Sequence, residues 1–168
     1  VIPNGVDISR FRPIPGIDAK KYLNLNVSKK YLLFISSLNR PEKNFQLARK
    51  AVELLNRNDS VLLPVYNILN SEIFYYLNAA DALLLTSKYE GSPNVIKEAM
   101  ACNCPIISTD VGDVRWVIGE TEGCFIASFD PHNFAEKIKL ALDFSEKKGR
   151  TNGRQRIIEL GLDSDTVA

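Results

Sequence analysis

Short apolar runs alternate with segments of helical period along nearly the whole chain, and this alternation restricts the fold more than any other feature. Tyr31-Leu-Leu-Phe-Ile35 is continuously apolar, as a strand covered on both faces requires. Residues 43–56 follow, with Phe45, Leu47, Ala48, Ala51, Val52, Leu54 and Leu55 largely on one helical face. The pattern repeats: a strand over 61–65, a helix over 70–78 capped by Asn70 or Ser71, and a strand over 82–86. A helix over 93–102 and strands over 106–108 and 123–127 come next, then helices over 133–144 and 153–160. Strands separated by helices pair in parallel through crossovers. The expected fold class is therefore α/β: a Rossmann-like, doubly wound parallel sheet with helices on both faces. Ligands of such sheets bind at the carboxyl ends of the strands. Residues 1–26, with Pro3, Gly5, Pro13, Pro15 and Gly16, read as a lead-in segment without a regular element.

The 168 residues suit one domain, and a 45% hydrophobic content is enough for a core. Lysine plus arginine (21) nearly balances aspartate plus glutamate (20), which gives no broad electrostatic case for nucleic acid or an anionic membrane. No apolar run is long enough to span a bilayer. The sole methionine is Met100, and the first residues lack the features of a signal peptide, so the sequence reads as a piece of a longer or processed chain. Cys102, Cys104 and Cys124 lack zinc-site spacing, and His132 is the single histidine. No metal site is expected; the cysteines read as reduced packing residues, consistent with a cytoplasmic setting.

The chemistry concentrates in two loops. Residues 86–102 follow a buried strand and open a helix. Ser92 suits the N-cap and Pro93 the first helical position, leaving the amides of Ser92, Asn94 and Val95 to face an anion. Gly91 leaves room for a close approach. Glu98 lies about one turn after Asn94. Its carboxylate suits the paired hydroxyls of a ribose, and Glu90 suits those of a sugar. Spacing alone favours plain surface acids for both. The second loop, 36–44, follows the first strand and should reach the same sheet edge, where Arg40 and Lys43 suit a diphosphate. Taken alone, it reads equally as an exposed loop. Gly-x-Gly-x-x-Gly, the Walker phosphate loop and Gly-x-Ser-x-Gly are all absent, which disfavours dehydrogenases, P-loop nucleotidases and serine hydrolases.

Five motifs occur in order: Val1-Ile-Pro-Asn-Gly-Val-Asp7; Arg40-Pro-Glu-Lys43; Asn78-Ala-Ala-Asp81; Glu90-Gly-x6-Glu98-Ala-Met-Ala-Cys; and Pro105-Ile-Ile-Ser-Thr-Asp-Val-Gly112. Together they resemble the C-terminal domain of the group 1 glycosyltransferases, glycosyltransferase family four. The resemblance implies residues 1–168 as one half of a GT-B fold, with 1–26 leading in from an N-terminal domain. It implies a retaining, metal-independent hexosyltransferase acting in glycan, polysaccharide or glycolipid synthesis. It needs no cofactor; the donor is a UDP- or GDP-sugar. The other half holds most of the acceptor (a glycan, lipid or small molecule). The isolated domain should be inactive, and a parent chain is free to sit peripherally on a membrane. By resemblance, Glu90, Lys43 and Arg40 are the catalytic set. Phosphate falls to Arg40, Lys43, Gly91, Ser92, Asn94 and Val95, and ribose to Glu98.

Two departures from the family pattern stand out. Ser36-Ser37-Leu38 occupies the usual Gly-Arg-Leu positions, so Arg40 replaces an arginine absent at Ser37 only if the loop lets it reach. Between residues 61 and 78 there is room for only one strand and one helix, which makes Tyr66, Asn67 and Ile68 the candidate nucleobase wall. Trp116 reads as packing, Asp110 and Asp113 as turn residues or as contacts of donor or acceptor, and His132 as exposed. A non-catalytic nucleotide-sugar-binding subunit is the alternative function, and an unrelated flavodoxin-like signalling domain a weaker one.

Overall fold

The computed structural model describes residues 4–167; the Val1-Ile-Pro3 part of the first motif lies outside them. Five parallel strands form one sheet in the order β2-β1-β3-β4-β5: β1 Lys30–Ile35, β2 Ser60–Val65, β3 Ala82–Leu85, β4 Ile106–Thr109 and β5 Cys124–Ala127. β1 pairs β2 in full register from Lys30↔Ser60 to Ile35↔Val65, and β3 pairs β4 from Leu83↔Ile106. Pro64 lies in β2, an edge strand, where its missing amide breaks no inner ladder.

Period-two alternation sends neighbouring side chains to opposite faces. Leu33, Leu83, Leu85 and Ile106 enter one core, and Leu32, Phe34, Leu84 and Ile107 enter the other. The second core is closed by α2 (Phe45–Leu55) and α6 (Pro131–Lys148) through Leu47, Ala48, Ala51, Phe134, Ile138 and Leu142. The first is closed by α3 (Asn70–Ala79), α4 (Asn94–Ala101), α5 (Val114–Ile118) and α7 (Gly153–Glu159). Helices on both faces of a parallel sheet make this the doubly wound form expected from the alternation.

Several local expectations change. The lead-in segment contains a helix, α1 (Gly16–Tyr22), where the flanking prolines suggested only loop. Tertiary packing supports so short a helix: Ala19 is fully buried, and the Tyr22 and Tyr75 rings stack with centroids 3.7 Å apart. Helix 43–56 splits into a 3-10 turn, Pro41–Lys43, and α2, because Asn44 adopts a left-handed conformation (φ 58°). The α3 cap is Leu69, with no side-chain bond from Asn70 or Ser71. α5 and the terminal α8 (Ser164–Val167) carry too few residues to show a period in sequence.

Long-range polar bonds fix the ends. Val6 N–H donates to Leu162 O and Ser164 N–H to Val6 O, each at 2.8 Å, clasping the lead-in segment to the C-terminal region. Buried Asn78 accepts from Ile14 N–H at 2.8 Å and donates to Arg12 O at 3.0 Å. Asp81 accepts from Tyr31 N–H at 2.8 Å at the start of β1. The third motif thus performs structural work. Cys102 and Cys104 are fully buried, and Cys124 partly so; burial pushes the Cys102 and Cys124 thiols up to about 12. That suits inert packing groups.

Candidate active site at the carboxyl edge of the sheet

Strands β1, β2 and β3 deliver their following loops to one rim, and these loops line a cleft of about 730 Å³. That volume lies within the range of small-molecule sites. Strand ends supply an apolar floor of Ile35, Val65 and Leu85, with Ile73 from α3. Arg40 and Lys43 come from the loop after β1, Tyr66, Asn67 and Ile68 from that after β2, and Glu90, Ser92, Asn94 and Val95 from that after β3. Residues far apart in sequence therefore share one cleft.

Lys43 is positioned through its backbone. Thr86 Oγ1, just beyond β3, lies 2.8 Å from the carbonyls of both Lys43 and Asn44. Lys88 N–H donates to Glu42 O at 2.8 Å. The 3-10 turn is thereby strapped to the loop carrying Glu90, and Lys43 Nζ donates to Glu90 Oε1. Ser87 Oγ donates to that same oxygen at 2.9 Å. Arg40 lines the cleft but is mostly exposed, and its Nε donates to Glu42 Oε1 at 2.7 Å. Glu42 sits below the usual carboxylate range, first through a bond from its own backbone amide and then through Arg40.

The helix start differs from expectation. α4 begins at Asn94, Pro93 takes the cap position with extended backbone (ψ 120°), and no side chain caps the helix. Ser92 instead donates to Asp113 Oδ2 at 2.6 Å. Asp113 N–H donates to Gly91 O at 3.1 Å, drawing the loop after β4 onto the loop after β3. Gly112 has φ 51°, and a Cβ there would lie 1.9 Å from Gly91 O, so only glycine permits this approach. Gly91 itself is exposed, and a Cβ there would meet nothing within 4 Å. Ile96 N–H bonds Pro93 O at 3.3 Å, whereas Asn94 and Val95 remain at the open helix end.

Glu98 does not line this cleft. It lines an adjoining cavity of about 120 Å³ with Asn4, Gly5, Val6, Asp7, Phe11, Asn94 and Lys97. Asn94 borders both spaces. Burial raises the Glu98 carboxyl above its ordinary range, partly opposed by Arg10. Lys97 does not pair with Glu98; it is 1% exposed and donates to Asn4 O at 2.7 Å. Trp116 is exposed rather than packed, and its carbonyl accepts from Arg156 at 2.8 Å. His132 is exposed at the start of α6. Sequence reading missed Ser87, and gave Asp113 a turn role or a contact with donor or acceptor rather than a bond to Ser92. Proximity to the end of β3 is the only local signal for Ser87; Asp113 meets Ser92 solely through the fold.

Comparison with known proteins places this arrangement. The family described as glycosyl transferases group 1 matches residues 64–143. TuaC of Bacillus subtilis (strain 168), a glycosyltransferase named for teichuronic acid biosynthesis, is 28% identical over 155 residues. Over these residues the chain is similar to the group 1 glycosyltransferases. The match to TuaC covers 82% of this chain but only 40% of TuaC, so the chain spans less than half the length of that relative. Sucrose-phosphate synthase from Thermosynechococcus elongatus shares the fold of this chain: TM-score 0.85, 21% identity, 99% of this chain and 49% of that one. So does Anabaena Alr3699/HepE, solved in complex with UDP-glucose: TM-score 0.79, 17% identity, 99% and 54%. Among the described residues, no helix is long and apolar enough to cross a membrane.

Proposed function

We propose that this domain binds the nucleotide-sugar donor of a retaining, metal-independent glycosyltransferase and forms one half of a GT-B enzyme. The supporting observation is the convergence of Lys43, Arg40 and Glu90 with the open start of α4 in one cleft, bordered by Tyr66, Asn67 and Ile68. In this reading the diphosphate lies against Lys43, Arg40 and the amides of Asn94 and Val95. Negative charge grows on the leaving diphosphate as the glycosidic bond breaks, and these fixed donors stabilise it. Gly91 and Ser92 shape the loop at the helix start, Glu90 receives hydroxyls of the donor sugar, and Tyr66 to Ile68 border the base. Glu98 takes the ribose hydroxyls at Asn94, where the two cavities meet. The HepE complex with UDP-glucose supports a UDP-sugar as the first donor to examine. The acceptor, a glycan, lipid or small molecule, is left to an N-terminal half, with residues 1–26 leading in from it.

Calorimetric titration of the parent protein with UDP and GDP tests this reading. Binding of one nucleotide is expected, and Lys43→Ala and Glu98→Ala should each weaken it by roughly ten-fold, the loss of one charge-assisted contact. No binding of either nucleotide at millimolar concentration would overturn the site.

A further inference from the structure

Lys43 and Glu90 serve opposite ends of the proposed donor, yet they are bonded to each other. Their side chains are only 19% and 15% exposed, so solvent screens the pair less than a surface ion pair. Thr86 holds the backbone of Lys43 in place, and Ser87 adds a second donor to Glu90 Oε1. Arg40, the other cation of the cleft, is bonded to Glu42. A diphosphate that recruits Lys43 therefore competes with Glu90 for its ammonium. What the released carboxylate meets then depends on the ligand. A sugar on the terminal phosphate presents hydroxyl donors to Glu90 and separates it from the phosphates. A bare nucleoside diphosphate presents no such donor and brings one further negative charge towards Glu90.

We propose that the Lys43–Glu90 pair is a latch that makes the cleft discriminate in favour of the nucleotide sugar and against the bare nucleoside diphosphate, so that re-forming the pair expels the product. The inference rests on the donor-site reading above. It assigns Glu90 a role in product release that a sugar contact alone does not contain.

The test is the binding of UDP, UDP-glucose, GDP and GDP-mannose to the parent protein and to its Glu90→Gln variant. Glutamine retains the shape and the acceptor for Ser87 but not the charge. The variant should bind the bare nucleotide roughly 3–10-fold more tightly while its affinity for the matching nucleotide sugar stays level or falls. Glu90→Asp, one methylene shorter and less able to hold Lys43, should move the ratio of the two affinities the same way by a smaller factor. It also serves if the glutamine variant does not fold. A residue that merely supports the loop would weaken both ligands together. An unchanged ratio, or parallel weakening, overturns the latch and leaves the donor site standing. Failure of the wild-type protein to bind any of the four ligands overturns both.

Discussion

Glu98 carries a conflict between folding and binding. Its carboxyl is held above the ordinary range because burial disfavours the charged form. A raised carboxyl pKa contributes stability that is fully present below the unfolded value, near about 4.3, and is lost as pH rises through the folded value. Above the unfolded value the buried carboxyl therefore contributes progressively less to stability. Glu98→Gln is expected to raise the melting temperature at pH 7, with the gap closing below about pH 4.3. The same variant should weaken nucleotide binding if Glu98 meets the ribose. Thermal melts across pH, paired with titrations, check both halves. A variant melting lower than wild type at pH 7 would contradict the burial argument. Glu98 was legible as a candidate from its place one turn after Asn94. Its burial beside the lead-in segment was not, because Asn4, Val6 and Phe11 reach that cavity only through folding.

Helix ends show the same division at the next scale. α3 and α4 finish close together, and Arg150 serves both. Its guanidinium donates to Ala80 O at 2.7 Å, Leu77 O at 2.8 Å and Cys102 O at 3.2 Å. A cation at helix C-termini meets both the unpaired carbonyls and the negative dipole end. Arg150→Met keeps much of the apolar stem and removes every one of these bonds. It should lower unfolding free energy by about 2–4 kcal/mol in a urea titration. A change under about 0.5 kcal/mol, the usual range for surface substitutions, would place Arg150 outside the structural frame. Apolar period located the strands and long helices, since burial of a face writes itself into composition. It did not locate α1, whose order depends on packing, or the break at Asn44, which depends on one backbone conformation. Ser92 looked like a cap because local chemistry suits it, but Asp113 competes for its hydroxyl from another loop.

Across the whole molecule, the cleft opens along one rim of the sheet. With the acceptor assigned to an N-terminal half in the proposed reading, the chain alone should bind nucleotide weakly and transfer no sugar, whereas the parent protein should transfer it. Single-turnover assays with a labelled donor on both proteins decide this. Transfer to added acceptor by the chain alone would contradict the two-half reading. The sequence by itself determined the parallel doubly wound architecture, because alternating apolar runs and helical faces admit few other layered solutions. It also determined which side chains were candidates for the donor. The tertiary structure alone decided that Lys43 meets Glu90, that Gly112 and Asp113 brace the loop after β3, and that Glu98 opens to a neighbouring cavity. Those contacts join segments tens of residues apart, and no local pattern encodes a distance that the crossovers of the sheet set.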